Sequence, residues 1–442
     1  MTPKKVVREY GHLHCGNDQI DLADDELPSS SFELLQELAI SDGLLAKAFT
    51  AGRVKGRGFS IRATSYVGIV QLPDGWQIEI LPKLSLGESE EDARKILIKM
   101  LAAVYQLPIS ADRIANVAQE HVTLLEYFIP PFLDEIENLI RKGLRAQYER
   151  IEDNEPFLRG KLMIVQNARL NIINRTRFFC EYDIFSHNRP ENRLLHSLLE
   201  MLYRFSRWEA NKKRCYRALQ EFLHIPKSEN PAMDLRAWDF SHENRHYQSL
   251  FSWCRILIGL NPTLKTGGQK SYSLLFPMEN LFESYVSLIV QSKCRPKDDF
   301  SVLMQSKHKF GNWLNSEKVD DAFGLKPDLI IQSGGFNQLI LDAKWKKAEM
   351  KVDGYNISEA DLYQIFIYVQ YFKPKTGLSF LIYPKTSQFD KCVGMSLKNS
   401  ADMTFIVYAM PFDLREDTFC LDGFLDISNL DADKRSSLFF LC

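Results

Sequence analysis

Two short apolar runs, Leu329-Ile330-Ile331 and Leu339-Ile340-Leu341, flank a Gly334-Gly335 pair, and each carries an aspartate at the end away from those glycines. Pro327-Asp328 stands before the first run, and Asp342-Ala343-Lys344 closes the second. Apolar runs of this length bounded by turn residues read as strands, and a glycine pair between them reads as a turn. If the two runs pair as a hairpin, both carboxylates and the lysine converge at one end. Alternate residues of a strand leave on the same face, so Asp342 and Lys344 project together.

The surroundings read as an α/β unit from residue 266 to the end, because strands and helices alternate there. A helix is predicted over FPMENLFESYVSLIVQSK and another over EADLYQIFIYVQYF, with further strands in GLSFLIYP and MTFIVYAM. Earlier, GFSIRATSYVGIVQLPDGWQIEILPKL shows short alternating runs with a Pro73-Asp74-Gly75 turn, which makes residues 1–120 a β-rich unit. Apolar residues spaced by three and four in EEDARKILIKMLAAVYQL, FLDEIENLIRKGLRAQYERI and ENRLLHSLLEMLYRFSRW predict helices, so residues 121–265 read as a mainly helical linking region. The Pro- and Gly-marked stretch NPTLKTGGQKSY separates that region from the α/β unit. The expected fold is thus an α/β multidomain chain of 442 residues, long enough to bury a sizeable core.

Charge limits the partners. With 55 Lys and Arg against 57 Asp and Glu, the chain has no global field to coat nucleic acid, so any DNA contact must be local. Two basic stretches qualify. Residues 156–182 hold Arg159, Lys161, Arg169, Arg175 and Arg177 against Glu181 alone, and Arg189 to Arg217 holds eight basic residues against three acids. Either is a phosphate- or partner-facing surface, or a solvated helix face with its stems lying along the fold. The eight cysteines form no CxxC pair and no metal spacing, and read as reduced thiols, mostly in the core. No stretch approaches a membrane span or the apolar part of a signal peptide, which suits a cytoplasmic protein without membrane contact.

The convergent set suits phosphodiester hydrolysis. Asp328, Asp342 and the backbone carbonyl of Ala343 offer hard oxygen ligands to Mg²⁺, an ion that keeps several waters and can turn one into a nucleophile. Lys344 would orient that water and offset charge developing on the phosphate. Other acid-x-Lys arrangements lack this setting: Glu349-Met350-Lys351 has no apolar strand before it, and Pro73-Asp74 has no acid-x-Lys close behind. On the helix FPMENLFESYVSLIV, Glu283 lies off the apolar stripe with Glu279 one turn before it, as a further metal or water ligand or as a solvated acid. Gln364 and Tyr368, four apart on one helix face, form either a hydrogen-bonding pair for the site or DNA, or ordinary helix-edge polar groups.

In order along the chain, YVGIVQLPDGWQIEILPK, PFLRGKLMIVQNARLN, FPMENLFESYV, KPDLIIQS with LILDAKWK, and DLYQIFIYVQYF resemble the McrC family, the nuclease subunits of McrBC-type, 5-methylcytosine-specific restriction systems. The resemblance spans roughly residues 60 to 385. It implies a C-terminal PD-(D/E)xK restriction-endonuclease-like α/β domain in which Asp328, Asp342 and Lys344 match the catalytic motif, and Gln364 and Tyr368 match the QxxxY element shared with RecB-like nucleases. It further implies an anti-phage DNA endonuclease whose N-terminal domain binds and stimulates a hexameric McrB-like AAA+ GTPase and which cuts double-stranded DNA, possibly modified. The absence of a GxxxxGK[ST] loop agrees with a chain that has no nucleotide site of its own. Two other readings stay open: a non-catalytic adaptor that only activates the AAA+ partner, and a stand-alone RecB-like nuclease. The division into units predicts that removing residues 1–120 spares cleavage and removes GTPase stimulation.

Overall fold

The structure is a computed structural model that describes residues 3–16, 22–55, 58–83, 89–115, 123–173, 175–259, 261–264, 270–294, 300–305, 308–311, 323–348, 350–351, 354–398, 404–422 and 438. Cys442 and the Gly267-Gly268 stretch lie outside the described residues. The architecture is mixed α/β, with several separate sheets and helices between them.

One five-stranded sheet joins distant parts of the chain, in the order Lys4–Arg8, Gln77–Leu81, Tyr66–Gln71, Lys270–Pro277, Asn261–Leu264. The expected Pro73-Asp74-Gly75 turn connects Tyr66–Gln71 to Gln77–Leu81, and the Asp74 carboxylate accepts the Trp76 N–H at 3.1 Å. Lys270–Pro277 then pairs antiparallel with Tyr66–Gln71 and runs directly into the helix Met278–Cys294. Strands from residues 1–120 and from both sides of residue 265 therefore share one hydrogen-bonded sheet. A second sheet, Glu26–Pro28, His12–Gly16, Gly58–Ala63 and Phe49–Val54, packs its own apolar residues around Leu13, Leu35 and Ile61.

The helix Glu90–Tyr105 begins where Ser89 accepts the Asp92 N–H at 3.1 Å, with Glu90, Glu91 and Asp92 in the first turn complementing the helix dipole. Its Arg94 is buried and held by both oxygens of Glu79, at 2.9 and 2.7 Å, while Glu79 also accepts the Leu124 N–H and lies 3.3 Å from Lys4. Glu79→Ala would strand a buried guanidinium, so we expect a loss of about 3–5 kcal/mol, read as a lower denaturant midpoint. A midpoint shift worth less than about 1 kcal/mol would contradict this account of the pair.

The sequence places a helix through residue 151, but the structure ends it at Lys142 and forms the strand Gln147–Glu155. Gly143, at φ 90°, stops the helix, and pairing with Phe178–Ser186 satisfies the backbone that follows. With Lys161–Leu162 this makes a three-stranded sheet; Tyr148 on it, and Phe157, Leu158, Ile164 and Ile173 in the segments joining its strands, are exposed, Ile173 by 94%. The expected helix in ENRLLHSLLEMLYRFSRW is present as Pro190–Phe205. Much of the charge from Arg189 to Arg217 is spent in ion pairs: Arg189 with Glu191, Arg193 with Asp234, Arg204 with Glu200, and Arg214 with Asp134 and Glu137. That stretch is a salt-bridged helical surface.

Among the described residues the C-terminal sheet has seven strands, ordered Phe300–Met304, Leu329–Ser333, Phe336–Ala343, Leu378–Pro384, Thr404–Asp413, Val393–Lys398, with Thr418–Phe419 also on Thr404–Asp413. Leu329–Ser333 and Phe336–Ala343 pair antiparallel across Gly334-Gly335, whose φ values of 57° and 80° suit a two-residue hairpin turn. Phe336–Ala343 then runs parallel to Leu378–Pro384, with the helix Glu359–Phe372 as the crossover. Alternate residues serve opposite layers. Leu329, Ile331, Leu339 and Leu341 pack with the helix Met278–Cys294, whereas Ile330 and Ile340 pack with Ile365, Tyr368 and Val369 of the crossover helix. Strands covered on both faces must be apolar throughout, which explains the two runs. Cys180, Cys215, Cys254, Cys294 and Cys392 are buried and Cys15 is exposed, all as free thiols.

A candidate metal-dependent hydrolytic site

Leu329 faces Leu341 in the hairpin, so Asp328 and Asp342 occupy the same end of adjacent strands. Both are buried. The Ala343 N–H donates to Asp328 Oδ2 at 2.8 Å, which fixes that carboxylate against the neighbouring strand. Lys344 Nζ lies 2.7 Å from Asp342 Oδ2, close enough for the charges to pair, yet that oxygen has no aligned hydrogen-bond donor. The geometry thus brings Asp328, Asp342, Ala343 and Lys344 together.

Burial and mutual repulsion shape their protonation. Burial, then the charges of Asp342 and Glu283, hold the Asp328 carboxyl well above the usual carboxylate range. Burial also raises Asp342, against the pull of Lys344. For Lys344 burial opposes the charge, but Asp342, Asp328 and Glu283 outweigh it and keep the ammonium protonated. Glu283, half-buried on the helix Met278–Cys294, is raised by burial and by Asp342 and Glu279, so it belongs to the same electrostatic neighbourhood. Carboxylates crowded into a buried site, with one oxygen left without a donor, are a donor set that a divalent cation would relieve. Among the described residues no group of three or more His, Cys, Asp or Glu side chains is placed to hold a metal ion by itself. Mg²⁺ does not require one, since it is commonly held by one or two carboxylates together with waters and substrate phosphate.

Gln364 and Tyr368 are linked as their spacing suggests. Gln364 Nε2 donates to the Tyr368 hydroxyl at 2.8 Å, and that hydroxyl donates to the Lys326 carbonyl at 3.1 Å. The pair therefore ties the crossover helix to the segment entering Asp328. Arg159 and Lys161 are elsewhere, exposed on the three-stranded sheet, with the Arg159 guanidinium 4.1 Å from the centre of the Tyr182 ring.

Two supporting carboxylates are not singled out by the motifs. Asp361 is buried and accepts from Lys346 Nζ at 2.7 Å and from the Tyr383 hydroxyl at 3.0 Å. Its position three before Gln364 and seven before Tyr368 places all three on one helix face, a signal the sequence does carry. Glu9 is the other. Its carboxylate accepts the Trp345 indole N–H at 3.0 Å and the Lys83 backbone N–H at 2.9 Å, reaching the residue after Lys344 from more than three hundred positions away. No local pattern could have shown it.

Burial pushes the Glu9 carboxyl up to about 7. A carboxyl raised on folding contributes stability that is present below its unfolded value of 4.5 and lost as pH rises through 7. Glu9→Gln should therefore be more stable than the wild type at pH 8, by on the order of 2 kcal/mol, with the difference vanishing near pH 4. Thermal melts across that range decide it: parallel pH profiles for the two proteins would rule the linkage out.

Comparison with known proteins bears on the whole chain. No curated protein matches it. A chain in a refined half-complex from a tetradecameric assembly of Thermococcus gammatolerans McrB AAA+ hexamers with bound McrC is similar in fold, with a TM-score of 0.65 at 18% identity over 98% of this chain and 99% of that one. A chain of the Thermococcus gammatolerans McrBC complex matches over 67% of this chain and 89% of its own length, at 18% identity and a TM-score of 0.46. No helix among the described residues is long and apolar enough to cross a membrane. The family model for McrBC 5-methylcytosine restriction system components matches residues 61–384, most of the sequence and the whole span from the Tyr66–Gln71 strand to the carboxylate hairpin, and the chain belongs to that family.

Proposed function

We propose that the protein is the DNA-cutting subunit of a two-component restriction system, a Mg²⁺-dependent endonuclease of the PD-(D/E)xK type that works with an McrB-like AAA+ GTPase ring. The observation that carries this reading is the convergence of Asp328, Asp342 and Lys344 at one end of a hairpin buried on both faces.

In this reading Asp328, Asp342 and the Ala343 carbonyl would hold the ion, with Glu283, whose charge acts on Asp328 and Lys344, as a further carboxylate of the same neighbourhood. Bound there, Mg²⁺ supplies charge against the phosphate and an activated water. Lys344, kept protonated by its acidic neighbours, donates to the phosphate oxygen on which negative charge grows. Tyr368 and Gln364 hold the Lys326 carbonyl and so set the approach of Asp328. Lys346, paired with Asp361, orients the strand end beyond Lys344.

The family's solved relative with bound AAA+ hexamers favours the same type of partner here. The exposed apolar residues on and beside the three-stranded sheet, near Arg159 and Lys161, suit an additional protein contact made by the linking region. We assign residues 1–120 to partner binding, 121–265 to linking, and 266–442 to the nuclease, with the shared sheet making the first and last mechanically continuous. The test is plasmid cleavage with Mg²⁺, with and without the AAA+ partner and GTP. Cutting that requires both the partner and the intact carboxylates supports the reading. Stimulation of GTP turnover without cutting of any methylated or unmethylated plasmid overturns the nuclease half of it.

A further inference from the structure

The turn that carries Glu9 also presents an exposed aromatic residue. Tyr10 adopts the left-handed conformation at φ 62°, which a residue with a side chain rarely takes, and Gly11 N–H closes the turn on the Arg8 carbonyl at 2.8 Å. The ring is 38% exposed and stands between two exposed cations, with Arg62 Cζ at 5.3 Å and Lys83 Nζ at 5.7 Å from its centre. Arg62 Nε also donates to the Tyr10 carbonyl at 3.4 Å. Among the described residues neither cation forms an ion pair with a carboxylate. The backbone beneath Lys83 is held in place, since its N–H donates to Glu9 at 2.9 Å.

Its location ties it to the hydrolytic site. The same Glu9 carboxylate holds the Trp345 indole, one residue beyond Lys344, and the Trp345 ring packs on Phe282 at 5.3 Å, beside Glu283. Glu9 and Tyr10 both feel the charge of Glu279, which in turn acts on Glu283. Tyr10 is thus linked to the residue after Lys344 through the buried Glu9–Trp345 hydrogen bond. An exposed aromatic residue flanked by exposed cations, on a protein with no overall positive charge, is the combination that holds a single nucleic-acid strand: bases stack on the ring while phosphates meet the cations.

We propose that Tyr10, Arg62 and Lys83 form a DNA-gripping lip on the nuclease site, in which the N-terminal unit stacks an unpaired base on Tyr10 and holds the adjoining phosphates with Arg62 and Lys83. The inference rests on the nuclease reading for the identity of the strand, and on the lip residues alone for its binding.

The test uses the full chain and a fluorescein-labelled single-stranded oligonucleotide, followed by fluorescence anisotropy in EDTA over a salt series. The triple variant Tyr10→Ala, Arg62→Ala, Lys83→Ala should bind roughly tenfold or more weakly than the wild type, and the slope of log affinity against log salt should flatten by about 1.4 for two lost phosphate contacts. Tyr10→Phe keeps the stacking face and should bind like the wild type. All three side chains are exposed, so melting temperatures should stay together, and a folding defect would show there. Unchanged affinity and slope in the triple variant, or wild-type protein that does not bind the strand, overturns the lip. The Asp342→Ala protein separates the two readings, because it should retain strand binding while losing cleavage. If it still cuts plasmid, the nuclease assignment fails and the lip stands on its binding data.

Discussion

Asp342→Ala is expected to lower Mg²⁺-dependent cleavage by at least about a thousandfold, roughly 4 kcal/mol of lost transition-state stabilisation, while leaving the fold and the stimulation of partner GTP turnover intact. The size follows from what Asp342 does in the site. On the proposed mechanism it is one of two carboxylates that would take a hard cation, and it lies against Lys344, so its removal would cost both a metal ligand and the placement of the ammonium. The fold should survive because burying Asp342 beside Asp328 is itself unfavourable: burial raises both carboxyls, and removing one relieves the repulsion. Lys344 keeps Asp328 and Glu283 as nearby counter-charges. Cleavage of plasmid and GTP turnover measured on the same preparation decide the matter. Residual cutting within tenfold of the wild type would place the chemistry elsewhere.

Removal of residues 1–120 is expected to abolish cleavage as well as partner stimulation. The sequence suggests separable units, but the tertiary structure gives the truncated chain three simultaneous losses. Lys270–Pro277 loses the strand Tyr66–Gln71, leaving an unpaired edge directly before the helix that carries Glu283. That helix loses the packing of Glu90–Tyr105, whose buried Ala93, Leu97 and Leu101 belong to the same core as Phe282 and Tyr285. Trp345 loses Glu9, so an indole N–H beside Lys344 is left without its acceptor. Together these should leave the truncated protein aggregated or loosely packed, with weak near-UV circular dichroism and no cutting. A soluble 121–442 fragment that cut DNA at the wild-type rate would show that the shared sheet is dispensable.

Features carried by residues close in sequence, or spaced by a regular period, are legible in the sequence alone. The hairpin, its Gly334-Gly335 turn, the helix Glu359–Phe372 and the meeting of Asp328 with Asp342 follow from apolar runs that must be buried on both faces, from a glycine pair that accepts positive φ, and from the two-residue repeat of a strand. Gln364 and Tyr368 follow from the turn of a helix. Arg159 and Lys161 are visible as charge, but charge has no address, and only the fold places them on a separate sheet. The strand Gln147–Glu155 reads locally as helix because its pairing partner, Phe178–Ser186, lies beyond any local window.

What the sequence by itself determined is therefore the local scaffold of the candidate site: which carboxylates and which lysine meet, and the strands and helix that carry them. What only the tertiary structure decided is everything set by long-range pairing. That includes the sheet joining residues 4–8 to 261–264 and 270–277, the Glu79–Arg94 ion pair, and the reach of Glu9 to Trp345. The physical reason is that periodicity records which face of an element is buried, whereas the identity of the covering element is fixed by shape, hydrogen-bond satisfaction and charge among residues that the chain keeps hundreds of positions apart.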